Sequence, residues 1–293
     1  MEITIPESKP MKSENEIAEI RNQIGSDSNL YGSSFDVIGY LKHLSHKWTA
    51  VIVFFILWEI LPTIGIVDQT LIPSLSTIAM TLWDPILAGV LPENTAISMV
   101  RMFLGWGIAL VVAIPLGYLL GGFFEDFENA VEPLLQLLGQ LNPWSFFHLA
   151  IVFLGIGEIS IVAAVFYISL WPVLYNTITG LKNVNPAFVK IARAAGMEKF
   201  EIFWKVQLHA SLPVVFTGIR LGALFAFFMV MGAEMMGAGD GLGHMIMFDQ
   251  MYGLIPQMWM GIVVMSLLGI AFDYVLMRLE KYFTSWKEEL TLL

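Results

Sequence analysis

The chain has 293 residues, of which 57% are hydrophobic and 14% are charged, and its formal net charge is −10. A soluble domain carries about 25% charged residues, so the composition excludes a water-soluble fold and indicates an all-α polytopic membrane protein. The negative charge argues against nucleic acid as a partner, and the absence of cysteine excludes disulfides and thiolate metal sites.

The first 47 residues are predicted to lie outside the hydrocarbon core. Residues 1–34 are polar and acidic on balance, which favours a mobile tail. Residues 35–47 mix apolar side chains with lysines and histidines, a pattern typical of a helix that lies in the membrane surface. His43 and His46 stand three apart there, but two imidazoles fill only half of a structural zinc site, so no metal site is predicted.

Six apolar stretches of about 20 residues or more follow, and this length is enough to span a bilayer. The third stretch is interrupted at Asn142-Pro143, where non-helical backbone needs cover from protein or from a watery cavity. In the second stretch, Gly117 and Gly121 have the spacing that lets two helices approach closely. A short amphipathic segment at 73–87 follows the first stretch. The predicted spans are residues 48–66, 96–122, 127–154, 159–180, 212–236 and 256–283.

A basic break, called the elbow and defined as residues 181–213, separates the fourth and fifth spans. Its pattern predicts two short amphipathic helices that are hinged at Gly196. Pro186 suits the first turn of a helix, and Pro213 limits how far a helix continues. A structured basic elbow on one side of a membrane protein suggests a docking surface for a soluble partner. The basic residues of the elbow are Lys182, Lys190, Arg193, Lys199 and Lys205.

Basic residues also predict the topology. They cluster before the first span, in the elbow and after the last span, whereas the connections 67–95, 155–158 and 237–255 contain none. Six spans place both termini and the elbow on one side, and the excess of Lys and Arg identifies that side as cytoplasmic. The predicted organisation is a cytoplasmic tail with an interfacial helix at 1–47, a transmembrane domain at 48–288 and a tail at 289–293.

Two arginines, Arg101 and Arg220, fall inside predicted spans. A charge at that depth costs about 2.5–3.5 kcal/mol on insertion scales, so it faces a cavity or pairs with another group. One interpretation is an electropositive lining for an anionic solute, and the other is an internal ion pair. Glu234 and Asp273 are the obvious acidic counterparts, but the sequence does not say which arginine each would meet.

Methionines concentrate at residues 229–251, and Met231 and Met235 are candidates for a flexible lining of a translocation pathway. Thioethers together with His244 would also suit a soft metal such as Cu(I). Core packing is the simpler interpretation, because methionine fills irregular gaps in apolar interiors.

The elbow also carries a motif. Lys190 to Gly196 reads K-I-A-R-A-A-G, and V-Q-L-H follows nine residues later. Ala192, Gly196 and Leu208 agree with the form E-A-A-x-x-x-G, nine residues, I-x-L-P, whereas Lys190 and His209 replace its glutamate and its final proline. Further segments that carry the same likeness are Leu71-Ile72-Pro73, Ser98-Met99-Val100-Arg101, Gly155-Ile156-Gly157-Glu158, Thr217-Gly218-Ile219-Arg220, Ala233-Glu234-Met235 and Gly241-Leu242-Gly243.

With these segments, the chain resembles the permease subunits of bacterial ATP-binding-cassette importers over roughly residues 48–288, in particular the nitrate, sulfonate, taurine and bicarbonate class. The resemblance implies a pathway formed by two permease subunits, either two copies of this chain or this chain and a paralogue. It also implies two cytoplasmic ATPases, each taking one elbow into a cleft, and a periplasmic or lipid-anchored binding protein that delivers a small solute. Arg101 and Arg220 favour an anion such as nitrate, bicarbonate or a sulfonate, although members of the class also carry thiamine precursors or riboflavin-like solutes.

Under this resemblance, ATP is used by the partner subunit, so no cofactor and no enzymatic activity are expected on the chain itself. The chain accordingly lacks the motif G-x-x-x-x-G-K-[ST]. The implied location is the inner membrane of a bacterium or archaeon. Phe200, Phe203 and Trp204 would either enter the ATPase cleft or anchor the elbow to the spans. The residues expected to couple to the ATPase are Lys190, Ala192, Arg193, Gly196, Glu201 and Leu208.

The main rival function is a secondary transporter that works without an ATPase. Such a transporter should show inverted repeats and paired broken helices near the membrane midplane. The sequence has one such break, at Pro143, and no convincing internal repeat. A membrane enzyme would need clustered histidines or carboxylates at the interface, and the five histidines of this chain are scattered.

Overall fold

A computed structural model describes residues 37–123 and 125–284, and its described side chains begin at residue 49 and omit 123, 125, 126, 128 and 129. The predicted tails at 1–34 and 289–293 lie outside the described residues. The described elements are all helical. The twelve α-helices are α1 Val37–Thr63, α2 Leu75–Thr81, α3 Trp83–Leu87, α4 Val90–Tyr118, α5 Glu125–Gly139, α6 Pro143–Leu154, α7 Glu158–Lys182, α8 Pro186–Ala194, α9 Lys199–Ile202, α10 Leu208–Gly237, α11 Leu242–Met251 and α12 Ile255–Phe283.

Predicted spans two, four, five and six are confirmed as helices of sufficient length and apolarity. Among the described residues these are Val90–Gly122, Glu158–Lys182, Lys199–Gly237 and Ile255–Phe283. The third predicted span is a broken pair, Ala130–Gly139 and Pro143–Leu154, bent by 85°. The first falls on α1, whose described apolar part, Thr49–Thr63, is shorter. Helix α1 also runs unbroken through residues 47 and 48, where a boundary between a surface helix and the first span was expected.

Contacts divide the chain into two compact units, Met1–Trp58 and Glu59–Leu293. The described part of the first unit is the front of α1, where the apolar side chains of residues 51–57 are exposed. The ring of Phe54 meets that of Trp58 edge-on, with 5.6 Å between centroids. Exposed apolar side chains all along a helix are expected where the helix faces lipid.

In the second unit, Glu59 near the end of α1 holds the start of α2. Its Oε1 accepts a hydrogen bond from the Ser76 hydroxyl at 2.7 Å, and its Oε2 accepts one from the Ser76 amide at 3.1 Å. A carboxylate at this end of a helix satisfies a free amide and complements the helix dipole. The predicted amphipathic segment at 73–87 is confirmed as α2 and α3, which expose Met80 and Trp83.

The core of the second unit is α7, which packs against both α4 and α10. Small residues allow this close packing. A Cβ atom at Gly117 would lie 2.6 Å from the Cβ of Thr177, and one at Gly121 would lie 3.1 Å from the Cα of Ile178. The close helix approach predicted for these two glycines is therefore confirmed. The buried apolar side chains at this contact are Ala113, Leu120, Val173, Leu174 and Ile178.

The break between α5 and α6 lies at the predicted Asn142-Pro143. The Oδ1 of Asn142 accepts a hydrogen bond from the Trp144 amide at 2.9 Å, and Pro143 occupies the first turn of α6. Asparagine and proline at these two positions are favourable for starting a helix. Local sequence therefore ends one helix and starts the next in a different direction.

Two tyrosines of α7 donate hydrogen bonds to backbone carbonyls just before the break. Tyr167 donates its hydroxyl proton to the Leu138 carbonyl at 2.5 Å, and Tyr175 donates to the Leu135 carbonyl at 2.7 Å. Both carbonyls belong to the last turns of α5, and the Leu138 carbonyl also accepts from the Leu141 amide at 3.2 Å. These contacts join the end of α5 to α7 next to the break.

We expect Gly232→Ala to destabilise the protein. A Cβ atom at Gly232 of α10 would lie 1.8 Å from a ring carbon of Trp144, so the indole at the start of α6 would have to move. Overpacking of this kind costs about 1–3 kcal/mol, which should appear as a lower melting temperature of the detergent-solubilised protein.

The matched control is Gly269→Ala in α12, where a Cβ atom would meet no other atom within 4 Å. Because alanine is the better helix former, this variant should melt at or above the temperature of the parent protein. Equal melting temperatures for the two variants would contradict the contact between Trp144 and Gly232.

Candidate functional site

The elbow joins the end of α7 to the start of α10 and contains two short helices, α8 and α9, followed by the π-helical turn Phe203–Gln207. Helix α8 begins where the sequence predicts. The Oδ1 of Asn185 accepts a hydrogen bond from the Ala187 amide at 2.9 Å, and Pro186 fills the first turn. The start of the elbow is therefore set by adjacent residues.

Gly196 ends α8 in the left-handed conformation, with a φ of +81°. The Gly196 amide donates to the Arg193 carbonyl at 3.0 Å, and the Met197 amide donates to the Ala192 carbonyl at 3.1 Å. These two bonds form the Schellman arrangement, which satisfies carbonyls at the end of a helix. The predicted break at Gly196 is confirmed, but the structure shows a hydrogen-bonded turn there rather than a loose hinge.

Glu201, predicted to flank a docked partner, is engaged within the elbow. Its Oε2 accepts a hydrogen bond from the Glu198 amide at 3.4 Å, and its Oε1 pairs with the Lys205 ammonium at 2.9 Å. These contacts cap the start of α9 and connect it to the following turn. The elbow thus has local support on both sides of Gly196.

One side of the elbow packs against the transmembrane helices. Phe203 is 4% exposed, and its ring meets that of Tyr118 edge-on with 6.1 Å between centroids. It also lies against Gly122, where a Cβ atom would be only 2.5 Å from the ring. Phe203 therefore anchors the elbow to the end of α4. Of its two predicted roles, anchorage to the spans and entry into an ATPase cleft, the structure shows the first. Ala192 and Ile202 are buried as well.

The other side of the elbow is exposed and partly apolar. Phe200 and Trp204 are exposed and lie edge-on to each other, with 6.1 Å between ring centroids. Leu208, at the start of α10, is half-buried. We call this side the exposed face of the elbow. Its large apolar residues are Phe188, Ile191, Phe200 and Trp204, and the exposed cations beside them are Lys190, Arg193 and Lys199.

At the end of the helices opposite the elbow, Arg101 of α4 is 2% exposed and is surrounded by carboxylates. Its Nε donates to Glu158 at 2.8 Å, and its Nη1 donates to Glu234 at 2.9 Å. Its Nη2 pairs with both Glu158 and Asp240. One guanidinium thus faces three carboxylates, and together these side chains join α4, the start of α7, the end of α10 and the loop after it.

Glu234 is fully buried, and all of its described partners are hydrogen-bond donors. Besides Arg101, its Oε2 accepts from the Ser98 hydroxyl at 2.7 Å and from the Gly243 amide at 2.9 Å. Ser98 Oγ in turn accepts from the Leu242 amide at 2.8 Å. These donors satisfy both oxygens of the buried carboxylate, and they fix the loop between α10 and α11.

Comparison with known proteins identifies the family. Residues 113–285 match the binding-protein-dependent transport system inner membrane component. The chain belongs to this family.

Sequence relatives of this permease support the same family assignment. It is 30% identical to a putative ABC transporter permease of Methanocaldococcus jannaschii, over 80% of this chain and 88% of the relative. It is 29% identical to the putative aliphatic sulfonates transport permease of Bacillus subtilis, over 79% of this chain and 83% of that relative. It is 28% identical to a nitrate import permease of Synechocystis, over 62% of this chain and 66% of that relative.

The fold has a solved counterpart in an inward-facing structure of the methionine ABC transporter MetNI. The TM-score is 0.55 at 17% identity, and the match covers 64% of this permease and 93% of that chain. The likeness supports the all-α, multi-pass fold of an inner-membrane permease subunit. Family membership also decides against the secondary transporter that was considered as the rival function.

Both membrane arginines of the permease form internal ion pairs, which is the second of the two interpretations of the sequence. Arg220 of α10 binds Asp273 of α12 in a bidentate pair, with Nε–Oδ1 and Nη2–Oδ2 distances of 2.5 and 2.8 Å. Arg101 meets Glu234, and sequence reasoning missed Glu158 and Asp240. The formal charge of the cluster of Arg101, Glu158, Glu234 and Asp240 is −2. A role of Arg101, Arg220 and Glu234 in the translocation pathway stays a prediction.

The methionines of residues 229–251 differ in burial. Met229 is fully buried, whereas Met231 and Met235 are half-buried. No group of three or more potential metal ligands of the His, Cys, Asp and Glu types occurs in the described part of the chain. The side chains of His43 and His46 lie outside the described residues. A role of Met231 and Met235 in the pathway stays a prediction.

We expect Arg101→Met to destabilise the permease by about 3–5 kcal/mol, because it leaves the buried Glu234 without its cation. The double variant Arg101→Met/Glu234→Gln should recover part of this loss, since the amide carries no charge. The melting temperatures of the two variants in detergent measure the loss and the recovery.

Arg278→Met in α12 is the control, because Arg278 is exposed and contacts Tyr274 alone among the residues described. This variant should melt close to the parent protein. If Arg101→Met and Arg278→Met lower the melting temperature equally, Arg101 has no special role in holding the helices together.

Proposed function

We propose that this permease is the membrane subunit of an ATP-driven importer and that a separate ATPase drives it through the elbow. The two-sided elbow is the observation that carries the proposal. One side is anchored to α4 through Phe203, and the other exposes Phe188, Ile191, Phe200 and Trp204 beside three cations. An exposed apolar patch rimmed by charges is typical of a protein interface.

The elbow is built as a rigid handle. The Schellman turn at Gly196 and the contacts of Glu201 fix its two short helices, and Phe203 connects it to α4. A displacement of a stiff handle is passed to the helices to which it is attached, as rigid-body switching requires. Two ATPases acting on two permease subunits would move the paired transmembrane helices in this way. ATP hydrolysis is assigned to the partner, because this chain has no G-x-x-x-x-G-K-[ST] motif.

We further propose a small anionic solute. The support is the names of its relatives, which include permeases for aliphatic sulfonates, nitrate and taurine. Arg101 and Arg220 are both occupied by carboxylates of the same chain. Selection of the solute is therefore assigned to a binding protein that docks at the end of the helices opposite the elbow.

A topology with the elbow and both termini in the cytoplasm follows from the distribution of basic residues. Because the chain has no cysteine, single introduced cysteines can report the topology. Ala88→Cys, in an exposed connection between α3 and α4, should react with a membrane-impermeant maleimide in intact cells. Ala187→Cys, in the elbow, should react only after permeabilisation, and the cysteine-free parent should never react. The reverse pattern would place the elbow outside and end the proposal.

The coupling role is tested by Gly196→Pro against Gly196→Asn. Proline cannot reach a φ of +81° and has no amide to donate to Arg193, so it should break the turn. Asparagine tolerates the left-handed conformation. Transport-coupled ATPase activity of the co-purified complex should collapse with proline and be retained with asparagine.

Both variants must first be shown to insert and to melt like the parent protein. Full coupling in a folded Gly196→Pro variant would argue against the elbow as the handle, and so would failure of any ATPase to co-purify with the parent chain.

A further inference from the structure

A cavity of about 370 Å³ lies at the end of the helices opposite the elbow. One wall is the start of α4, and the other is formed by α11 and the loop that precedes it. We call it the α4–α11 cavity. Its size is in the range of small-ligand sites, and it is sufficient for one long side chain. Its lining includes Val90, Glu93, Ile97, Asp240, His244, Met245 and Phe248.

The wall formed by α4 projects beyond the apolar part of the membrane. Helix α7 has 25 residues and is therefore about 38 Å long, which exceeds the hydrocarbon core of about 30 Å. Arg101 of α4 binds Glu158, the first residue of α7, so residues 90–100 of α4 continue past the start of α7. At 1.5 Å per residue they add about 16 Å. The cavity therefore lies where a soluble protein can reach it.

The connections at this end of the helices carry charge of one sign. Residues 67–95, 155–158 and 237–255 contain no lysine or arginine, and under the topology proposed above the basic residues of both tails lie at the elbow end. In the cavity itself, Glu93 is exposed and forms no ion pair with any residue that the structure describes. The carboxylates of these connections are Asp68, Asp84, Glu93, Glu158, Asp240 and Asp249.

The charge of Asp240 is only partly balanced. Its Oδ1 pairs with Nη2 of Arg101, and the same nitrogen also pairs with Glu158. The side chains of Asp240 and Glu158 are 52% and 63% exposed, so both remain accessible to a further cation. Because one guanidinium serves three carboxylates here, a second cation would bring the local charge closer to zero.

The cavity is preformed. The Oδ1 of Asn94 accepts a hydrogen bond from the Gly241 amide at 2.7 Å, and its Nδ2 donates to the Val90 carbonyl at 2.8 Å. These bonds join α4 to the residue that follows Asp240, so the two walls are held together. A site with fixed walls loses little conformational freedom when it is filled.

The remaining lining suits the stem of a long basic side chain. Ile97 and Met245 are apolar, and the ring of Phe248 is exposed. Lysine and arginine carry an apolar stem below a charged head, and an aromatic face attracts the cation itself. The carboxylates of Glu93 and Asp240 complete the match to an ammonium or guanidinium group.

We infer that the α4–α11 cavity receives a lysine or arginine side chain of the binding protein that delivers the solute. The inference rests on the proposed function, because it names the contact through which that protein docks. The anionic solute proposed above would be repelled by Glu93 and Asp240, so the cavity is assigned to the protein and not to its cargo. A partner with a basic surface would also be steered towards this end of the permease.

The chain offers a matched control in the same connection. Glu93 and Asp84 are both exposed carboxylates in the first turn of a helix, α4 and α3 respectively, and Asp84 does not line the cavity. Glu93→Lys and Asp84→Lys change the net charge of this end equally, so both should weaken long-range steering alike. Only Glu93→Lys places a cation beside the incoming side chain.

The test is surface plasmon resonance on the permease assembled with its ATPases in lipid nanodiscs, with the purified binding protein as the analyte. Glu93→Lys should raise the dissociation rate constant roughly 10-fold or more, because two like charges then meet in the bound state. Asp84→Lys should dissociate like the parent complex. High salt should reduce the difference, since it screens exposed charges. Charge reversal of the inserted basic residue on the binding protein should restore binding to Glu93→Lys and not to Asp84→Lys.

Equal dissociation rates for Glu93→Lys and Asp84→Lys would overturn the inference, because any effect would then be one of net charge. The proposed function would still stand in that case, since the binding protein binds the parent complex. If Glu93→Lys does not assemble, Glu93→Gln takes its place, and dissociation as slow as that of the parent would count against the inference in the same way. A parent complex that bound no solute-binding protein would overturn the proposed function and the inference with it.

Discussion

The buried guanidinium of Arg101 is the contact on which the arrangement of the transmembrane helices depends. It joins α4 to the start of α7 through Glu158, to α10 through Glu234 and to the following loop through Asp240. The three helices pack closely on small residues such as Gly117. A charge in this environment is stable only with its partners, so the cluster fixes which helix ends meet.

At the other end of the same helices, the elbow is held by shape rather than by charge. The ring of Phe203 fits against Gly122 and Tyr118, and Ile202 and Ala192 are buried beside it. Helices α4, α7 and α10 are thus connected at both ends, by ion pairs at one and by aromatic packing at the other. The proposed handle would need such a connection, because a rigid body passes a displacement on to the helices that it joins.

The charged groups inside the membrane region serve structure in this conformation. Arg101 and Arg220 each meet carboxylates of their own chain, so neither presents a free cation to a solute. The elbow also carries exposed basic residues, among them Lys190, Arg193 and Lys199. This distribution separates two tasks: ion pairs join the helices, and the exposed face of the elbow is available to a partner.

The sequence alone determined the class of protein, the positions of the long helices, the break at Asn142-Pro143 and the turn at Gly196. Each depends on neighbouring residues: apolar length, an N-cap followed by proline, or a glycine, which accepts a positive φ without strain. Tertiary structure decided what the side chains do. Arg101 meets Glu158 and Asp240, which are distant in sequence, and Phe203 is buried whereas Phe200, three residues away, is exposed. Those outcomes depend on which helices pack together, and no local pattern contains that information.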